Sequence, residues 1–186
     1  MMYHKSNPDS VKICCDALRN GDVIIIPTDT VYGFSAVVDK TMNTDEKIRK
    51  IKGRSETKPF IQLIGNPEDI YKYTDDKIPT EVLSHWPGPL TIIVHDKNSS
   101  GTTAYRCPDD KWLCSLLNEL KKPVYSTSAN RSGQPQIEKV EQLEKEFSDE
   151  VKVIIDDGDR VGGVPSTIIS IENNQVKVLR EGAVKL

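Results

Sequence analysis

The chain has 186 residues, 37% of them apolar and 28% charged, with a net charge of -3. That length suits one domain over 1–186 with a core large enough to need no staples. No run approaches the ~18 apolar residues of a membrane span, and residues 1–12 lack a signal peptide's apolar stretch, so no membrane is expected and the cytoplasm is the expected location. A protein that grips nucleic acid over its whole surface is usually basic; here any bound anion must meet a local cluster of cations.

The first helix is predicted over Asp9–Arg19, where Val11, Cys14, Cys15 and Leu18 form one apolar stripe and Gly21 ends it. Val23–Ile26 reads as a strand buried on both faces. Thr44–Lys52 reads as a short basic helix capped by Thr44. Further strands are expected at Phe60–Ile64, Leu90–Val94, Thr103–Arg106, Val124–Ser126, Val151–Ile155, Thr167–Ile171 and Val176–Arg180. Helices are expected at Pro67–Tyr73, Pro79–Ser84, Asp109–Leu120 and Ile137–Phe147. Strands outnumber helices without strict alternation, which argues for an α/β domain with a mixed sheet.

Several clusters could carry chemistry. Pro27–Gly33 (PTDTVYG) follows the buried strand, where small polar residues either meet a ligand or form a turn capped by Asp29. Lys50, Lys52, Arg54 and Lys58 could converge on a polyphosphate or form a solvated face. No phosphate-binding P-loop is present. Ser126–Gly133 reads as a hydroxyl-rich loop that could cradle phosphate. Pro165–Thr167 and Leu179–Ala183 flank apolar strands, and Arg180 ends the second of these. Trp86 in the WPGPLT segment reads as packing. His4, His85 and His95 lack ligand spacing, and Cys14, Cys15, Cys107 and Cys114 fit neither a metal site nor a disulfide pattern, so no metal site is assigned.

In order and combination these clusters resemble the YrdC-like threonylcarbamoyl-AMP synthases. The matching segments are PTDTVYG at Pro27–Gly33, K-x-R at Lys52–Arg54, Lys58-Pro59, WPGPLT at Trp86–Thr91 and T-x-x-x-R at Thr102–Arg106. STSAN at Ser126–Asn130, PST at Pro165–Thr167 and LREGA at Leu179–Ala183 complete the set. Phe34-Ser35 stand where the family commonly has Leu-Gly, an apolar swap at the first position.

The resemblance implies a single YrdC-like domain of the single-domain form, with a twisted mixed parallel/antiparallel sheet, flanking helices and a concave basic cavity. It implies that L-threonine, bicarbonate and ATP yield threonylcarbamoyl-adenylate and pyrophosphate, for a downstream threonylcarbamoyl transferase complex that modifies tRNA. Carried over, Thr30, Arg106 and Ser166 hold threonine. Lys52, Arg54, Lys58, Thr102, Ser128, Asn130 and Arg180 hold ATP, with Mg2+ kept mainly by the phosphates. Lys52, Arg54 and Arg106 are the expected catalytic cations. The other reading of the same fold is a double-stranded RNA or tRNA-binding module without this activity.

Overall fold

The computed structural model describes residues 1–54, 59–172 and 175–186. Ten strands form one mixed sheet: β1 (Met2–His4), β2 (Ile24–Ile26), β3 (Gly33–Val37), β4 (Ile61–Leu63), β5 (Leu90–His95), β6 (Thr102–Arg106), β7 (Val124–Ser128), β8 (Val153–Asp156), β9 (Thr167–Glu172) and β10 (Gln175–Arg180). Their order is β1-β8-β2-β3-β7-β4-β6-β5-β9-β10. Parallel pairs join β1–β8, β2–β8, β4–β6 and β5–β9; the other neighbours run antiparallel. The helices are α1 (Ser10–Arg19), α2 (Thr44–Lys52), α3 (Thr80–Leu83), α4 (Lys111–Leu120) and α5 (Val140–Phe147).

The helices cover both faces. Cys14, Cys15 and Leu18 of α1 meet Leu113, Leu116, Leu117 and Leu120 of α4 over Ile24, Ile26, Val37, Leu63 and Val124. On the other face, Ile48 and Ile51 of α2 and Leu143 and Phe147 of α5 pack on Ile25, Phe34 and Ala36. This split follows from strand geometry, since successive side chains point to opposite faces. A third cluster packs Ile70, Val82 and Trp86 on Leu90, Ile92, Tyr105 and Ile169. Trp86 is a packing residue, 6% exposed, whose indole N–H donates to Leu90 O at 2.6 Å.

The structure corrects several expectations. β3 was not anticipated: Gly33–Val37 is short, but all five residues are buried as a central strand. β1 was not anticipated either; it pairs with β8 at the sheet edge. Asn43, not Thr44, occupies the N-cap position of α2, without a side-chain capping bond, and the buried Thr44 hydroxyl turns back to donate to Val37 O at 2.6 Å. Pro67–Lys72 is a 3-10 helix. α5 starts only at Val140, whose amide donates to Asp159 Oδ1 at 3.1 Å, so a distant carboxylate sets its start. Ser126–Ser128 lies within β7 instead of in a loop: β3 pairs with all three residues, and β4 with Ser126.

Candidate functional site

Alternation along β7 builds the site. Val124 faces the α1–α4 core, opposite Val37 and Leu63. Ser126 and Ser128 point to the same face farther along the strand, opposite Ser35 and Gly33 of β3, and Ile61 of β4 lies beside Ser126. Small side chains there leave space that large apolar ones fill at Val124. The result is a cavity of about 450 Å³ whose floor includes Gly33, Ile61, Ser126, Ser128 and Ile168. Gly33 keeps this approach open: a Cβ there would lie 3.2 Å from both Ser126 Oγ and Thr127 O, a tight contact.

Three arginines, Arg54, Arg106 and Arg180, line the cavity, and no Asp, Glu, His or Cys is among the described lining residues. Arg106, at the end of β6, is 5% exposed. Its guanidinium donates to Thr30 Oγ1 at 3.2 Å and forms a short ion pair with Asp29. Its Nε is buried with no hydrogen-bond partner among the described residues. Burial pulls its pKa down and Asp29 opposes that pull. Asp29 also accepts from the Asp109 amide at 3.1 Å, which ties the PTDTVYG turn to the segment before α4. The turn is shaped by Thr28, whose Oγ1 donates to Val31 O at 2.8 Å and accepts from the Thr30 and Val31 amides at 3.1 and 3.2 Å.

Ser166 and Arg180 form a second wall. Arg180 donates through Nε and Nη2 to Ser166 O at 3.1 and 2.6 Å, and Ser166 Oγ is 2.8 Å from Thr91 Oγ1. Burial lowers the Arg180 pKa, and the nearby Arg106 charge adds to it. The glycine of LREGA permits this contact, since a Cβ on Gly182 would sit 2.3 Å from Pro165 O.

Lys52 behaves otherwise than its place in the cation cluster suggests. It is 4% exposed and does not line the cavity. Its ammonium donates to Ser128 O at 2.6 Å, Asn130 O at 2.9 Å and Asn130 Oδ1 at 3.2 Å. Burial, then the nearby Arg54 charge, lowers its pKa to about 8. Asn130 is equally committed: its Oδ1 also accepts from Ser128 Oγ at 2.5 Å, and its Nδ2 donates to Arg131 O and Gln134 O. The lysine of K-x-R and the asparagine of S-x-N therefore bind each other and hold the end of β7. Lys50 is exposed and borders a different surface hollow, so the four cations do not converge. Arg54 does reach the cavity and lies 5.4 Å from the Phe60 ring centroid. Thr102 is exposed at the start of β6, opposite His95, outside the cavity lining. Lys58 lies outside the described residues.

Sequence reasoning assigned no role in the site to Phe60, Ile61, Gln136 or Ile168, offered Asp29 only as a turn cap, and placed Ser126 in a loop that could cradle phosphate. The V-Y-S-T-S alternation at 124–128 was the available signal for Ser126. Nothing local marks Gln136, which reaches the cavity from the chain after β7 and donates to Gly163 O at 3.1 Å.

Fold and cavity together define an α/β protein that presents arginines and hydroxyls over a mixed sheet, a setting for anionic small molecules. Residues 16–182 match the family model Sua5_yciO_yrdC, described as "Telomere recombination", and the chain belongs to that family. Among named relatives, the threonylcarbamoyl-AMP synthase of Bacillus subtilis is 31% identical over 193 residues, covering 96% of this chain and 55% of its own length. That of Pseudoalteromonas translucida is 29% identical over 184 residues, covering 92% of this chain and 98% of its own length. Pyrococcus abyssi Sua5 in complex with L-threonine superposes with a TM-score of 0.81 at 29% identity, over 92% of this chain and 54% of that one. Escherichia coli YciO shares the fold, with a TM-score of 0.84 at 24% identity over 100% of this chain and 96% of that one. The chain thus spans about half the length of the Bacillus and Pyrococcus relatives.

Among the described residues, no helix is long and apolar enough to cross a membrane. Nor do the described residues contain a group of three or more His, Cys, Asp or Glu that could hold a metal ion.

Proposed function

We propose that this chain is a threonylcarbamoyl-AMP synthase: a nucleotidyltransferase that converts L-threonine, bicarbonate and ATP to threonylcarbamoyl-adenylate and pyrophosphate. The product would supply tRNA threonylcarbamoyladenosine modification through a downstream transferase. The observation that carries this reading is the meeting of Thr30, Arg106 and Ser166 with Arg54, Ser128 and Arg180 on one cavity. Relatives named for this reaction and the threonine complex of the Pyrococcus protein support it.

Threonine's carboxylate would bind Arg106, whose guanidinium has five N–H donors and gives one each to Thr30 and Asp29. Thr30 and Ser166 would orient the amino acid. The amine, once deprotonated, attacks carbon dioxide or bicarbonate to give a carbamate. A carbamate oxygen then attacks the α-phosphorus of ATP, and pyrophosphate leaves. Arg54 and Arg180 would stabilise charge on the triphosphate, and Ser128 would line its site. Lys58 joins them on the strength of the resemblance alone. No covalent enzyme intermediate is required; positioning and preset cationic donors do the work.

Lys52 and Asn130 would act one step back, holding Ser128 in place. Mg2+ would be carried by the phosphates and water, as befits a lining without carboxylates among the described residues. Carbamates are labile in water, so the cavity should exclude solvent during turnover.

The test is pyrophosphate release with each substrate omitted in turn. Release should require threonine, bicarbonate, ATP and Mg2+ together. Equal release without threonine would defeat the reading. Tight RNA binding without any release would favour the RNA-binding alternative.

A further inference from the structure

The end of α2 decides where Arg54 goes. The last four carbonyls of an α-helix have no partner inside it. In α2 these belong to Arg49, Lys50, Ile51 and Lys52. The αL turn at Gly53 satisfies two of them: the Arg54 amide donates to Arg49 O at 2.9 Å, and the Gly53 amide donates to Lys50 O at 3.1 Å. The other two are met from outside the helix. Arg131 Nη1 donates to Ile51 O, and the Ser132 amide donates to Lys52 O at 2.8 Å. The residues just past Asn130 therefore close the helix end from which Arg54 enters the cavity.

Arg131 does not line the cavity, and its far side is tied down as well. Its Nη2 and Nη1 donate to the two carboxylate oxygens of Glu150 at 2.5 and 3.3 Å, and its Nε donates to Glu146 Oε1 at 3.1 Å. Its guanidinium lies 4.7 Å from the ring centroid of Phe147. That ring is fully buried and meets Phe34 of β3 edge-on, with centroids 4.8 Å apart. One planar fork thus joins the end of α2 to α5 and the sheet, which a lysine ammonium has no geometry to do. The negative end of the helix dipole favours a cation at this place.

We propose that Arg131 is a positioning residue for the ATP side of the cavity, acting through the end of α2. It fixes two groups there. Arg54 lies directly past the Gly53 turn, and Lys52 holds the Ser128 and Asn130 carbonyls through its ammonium. The clasp is reciprocal: the Lys52 side chain reaches into 128–130, while 131–132 reach back to the carbonyls of 51–52. The threonine side is held by other contacts: Thr30 by Thr28, Arg106 by Asp29, and Ser166 by Thr91. Loss of Arg131 therefore displaces the groups assigned to phosphate and leaves those assigned to threonine in place. The assignment of the two ligands rests on the function proposed above; the clasp itself does not.

The test compares Arg131→Ala, Arg131→Lys and Arg19→Ala with the parent, each as the full chain. Arg19 is the control: it too bonds a carboxylate and a helix-end carbonyl, both of Glu119, but it lies on α1 outside the cavity lining. Calorimetric titration should show ATP affinity reduced roughly tenfold in Arg131→Ala, since small misplacements of binding groups are costly. Threonine affinity should stay at the parental value. Arg131→Lys should recover only part of the loss, and Arg19→Ala should match the parent for both ligands. Amide exchange, which needs no ligand, should quicken at Gly53, Arg54 and Ser132 in Arg131→Ala but not in Arg19→Ala. Unchanged exchange at those amides would overturn the clasp. Faster exchange with parental ATP affinity, or an equal loss of ATP and threonine affinity, would overturn the positioning role. A parent that binds neither ligand, with exchange responding as expected, would defeat the proposed function and leave the clasp standing.

Discussion

Two regions on the same face of the sheet make opposite use of the same strand. At Val124, β7 contributes to an apolar core closed by α1 and α4. Farther along that face, Ser126 and Ser128 leave a cavity bordered by arginines. The core is held by burial, which needs no particular partner. The cavity wall is held by named pairs: Arg106 with Asp29, Arg180 with Ser166, and Lys52 with the Ser128 and Asn130 carbonyls. A charged wall of this kind is stable only while each buried charge keeps its partner.

The sharpest break of that contrast is Arg106→Ala. It leaves Asp29 unpaired, and losing one partner of a buried ion pair costs about 3–5 kcal/mol. Urea denaturation should show this loss, and calorimetry should show threonine binding abolished. Adding Asp29→Asn should recover most of the stability but none of the binding. Full stability in Arg106→Ala alone would mean that the pair does not hold the wall.

Arg54→Ala comes next. A charge-assisted hydrogen bond contributes about 1.5–3 kcal/mol, so ATP affinity should fall roughly ten- to a hundred-fold. Arg54→Lys should rescue only part, since lysine lacks the planar fork. Lys50→Ala, exposed outside the cavity, should be nearly silent. Equal ATP binding by Arg54→Ala and Lys50→Ala would place the phosphates elsewhere.

Ser126→Leu extends the core's logic into the cavity. The thermal midpoint should hold or rise, whereas ligand affinity should drop through overlap worth about 1–3 kcal/mol. A variant that still binds both ligands at the parental affinity would show that the floor is not the contact surface.

The last effect concerns Lys52, whose pKa is lowered from 10.5 to about 8. Between those two values the unfolded chain binds the proton that the folded chain has released, so stability rises with pH across this window. Below pH 8 the cost of burying the charge is present in full. Relative to Lys52→Met, the parent should gain stability from pH 8 to 10.5; a pH-independent difference would show that burial does not strain the ammonium.

The sequence by itself determined the family, the mixed α/β class and the segments that meet at the cavity. Each of those is written in local pattern: the apolar run at 23–26, the stripe of α1, and motifs such as PTDTVYG and STSAN. Which of the motif residues face the cavity was decided only by tertiary structure. Lys52 and Arg54 are two apart, yet the αL turn at Gly53 (φ 61°) separates an inward lysine from a cavity arginine. Ser126 and Ser128 became a floor only because β3 and β4 paired on either side of β7. Asp29 found Arg106, 77 residues away. Local spacing specifies which way a side chain leaves its own backbone; what it meets depends on strand order and helix placement, and these are set by packing across the whole sheet.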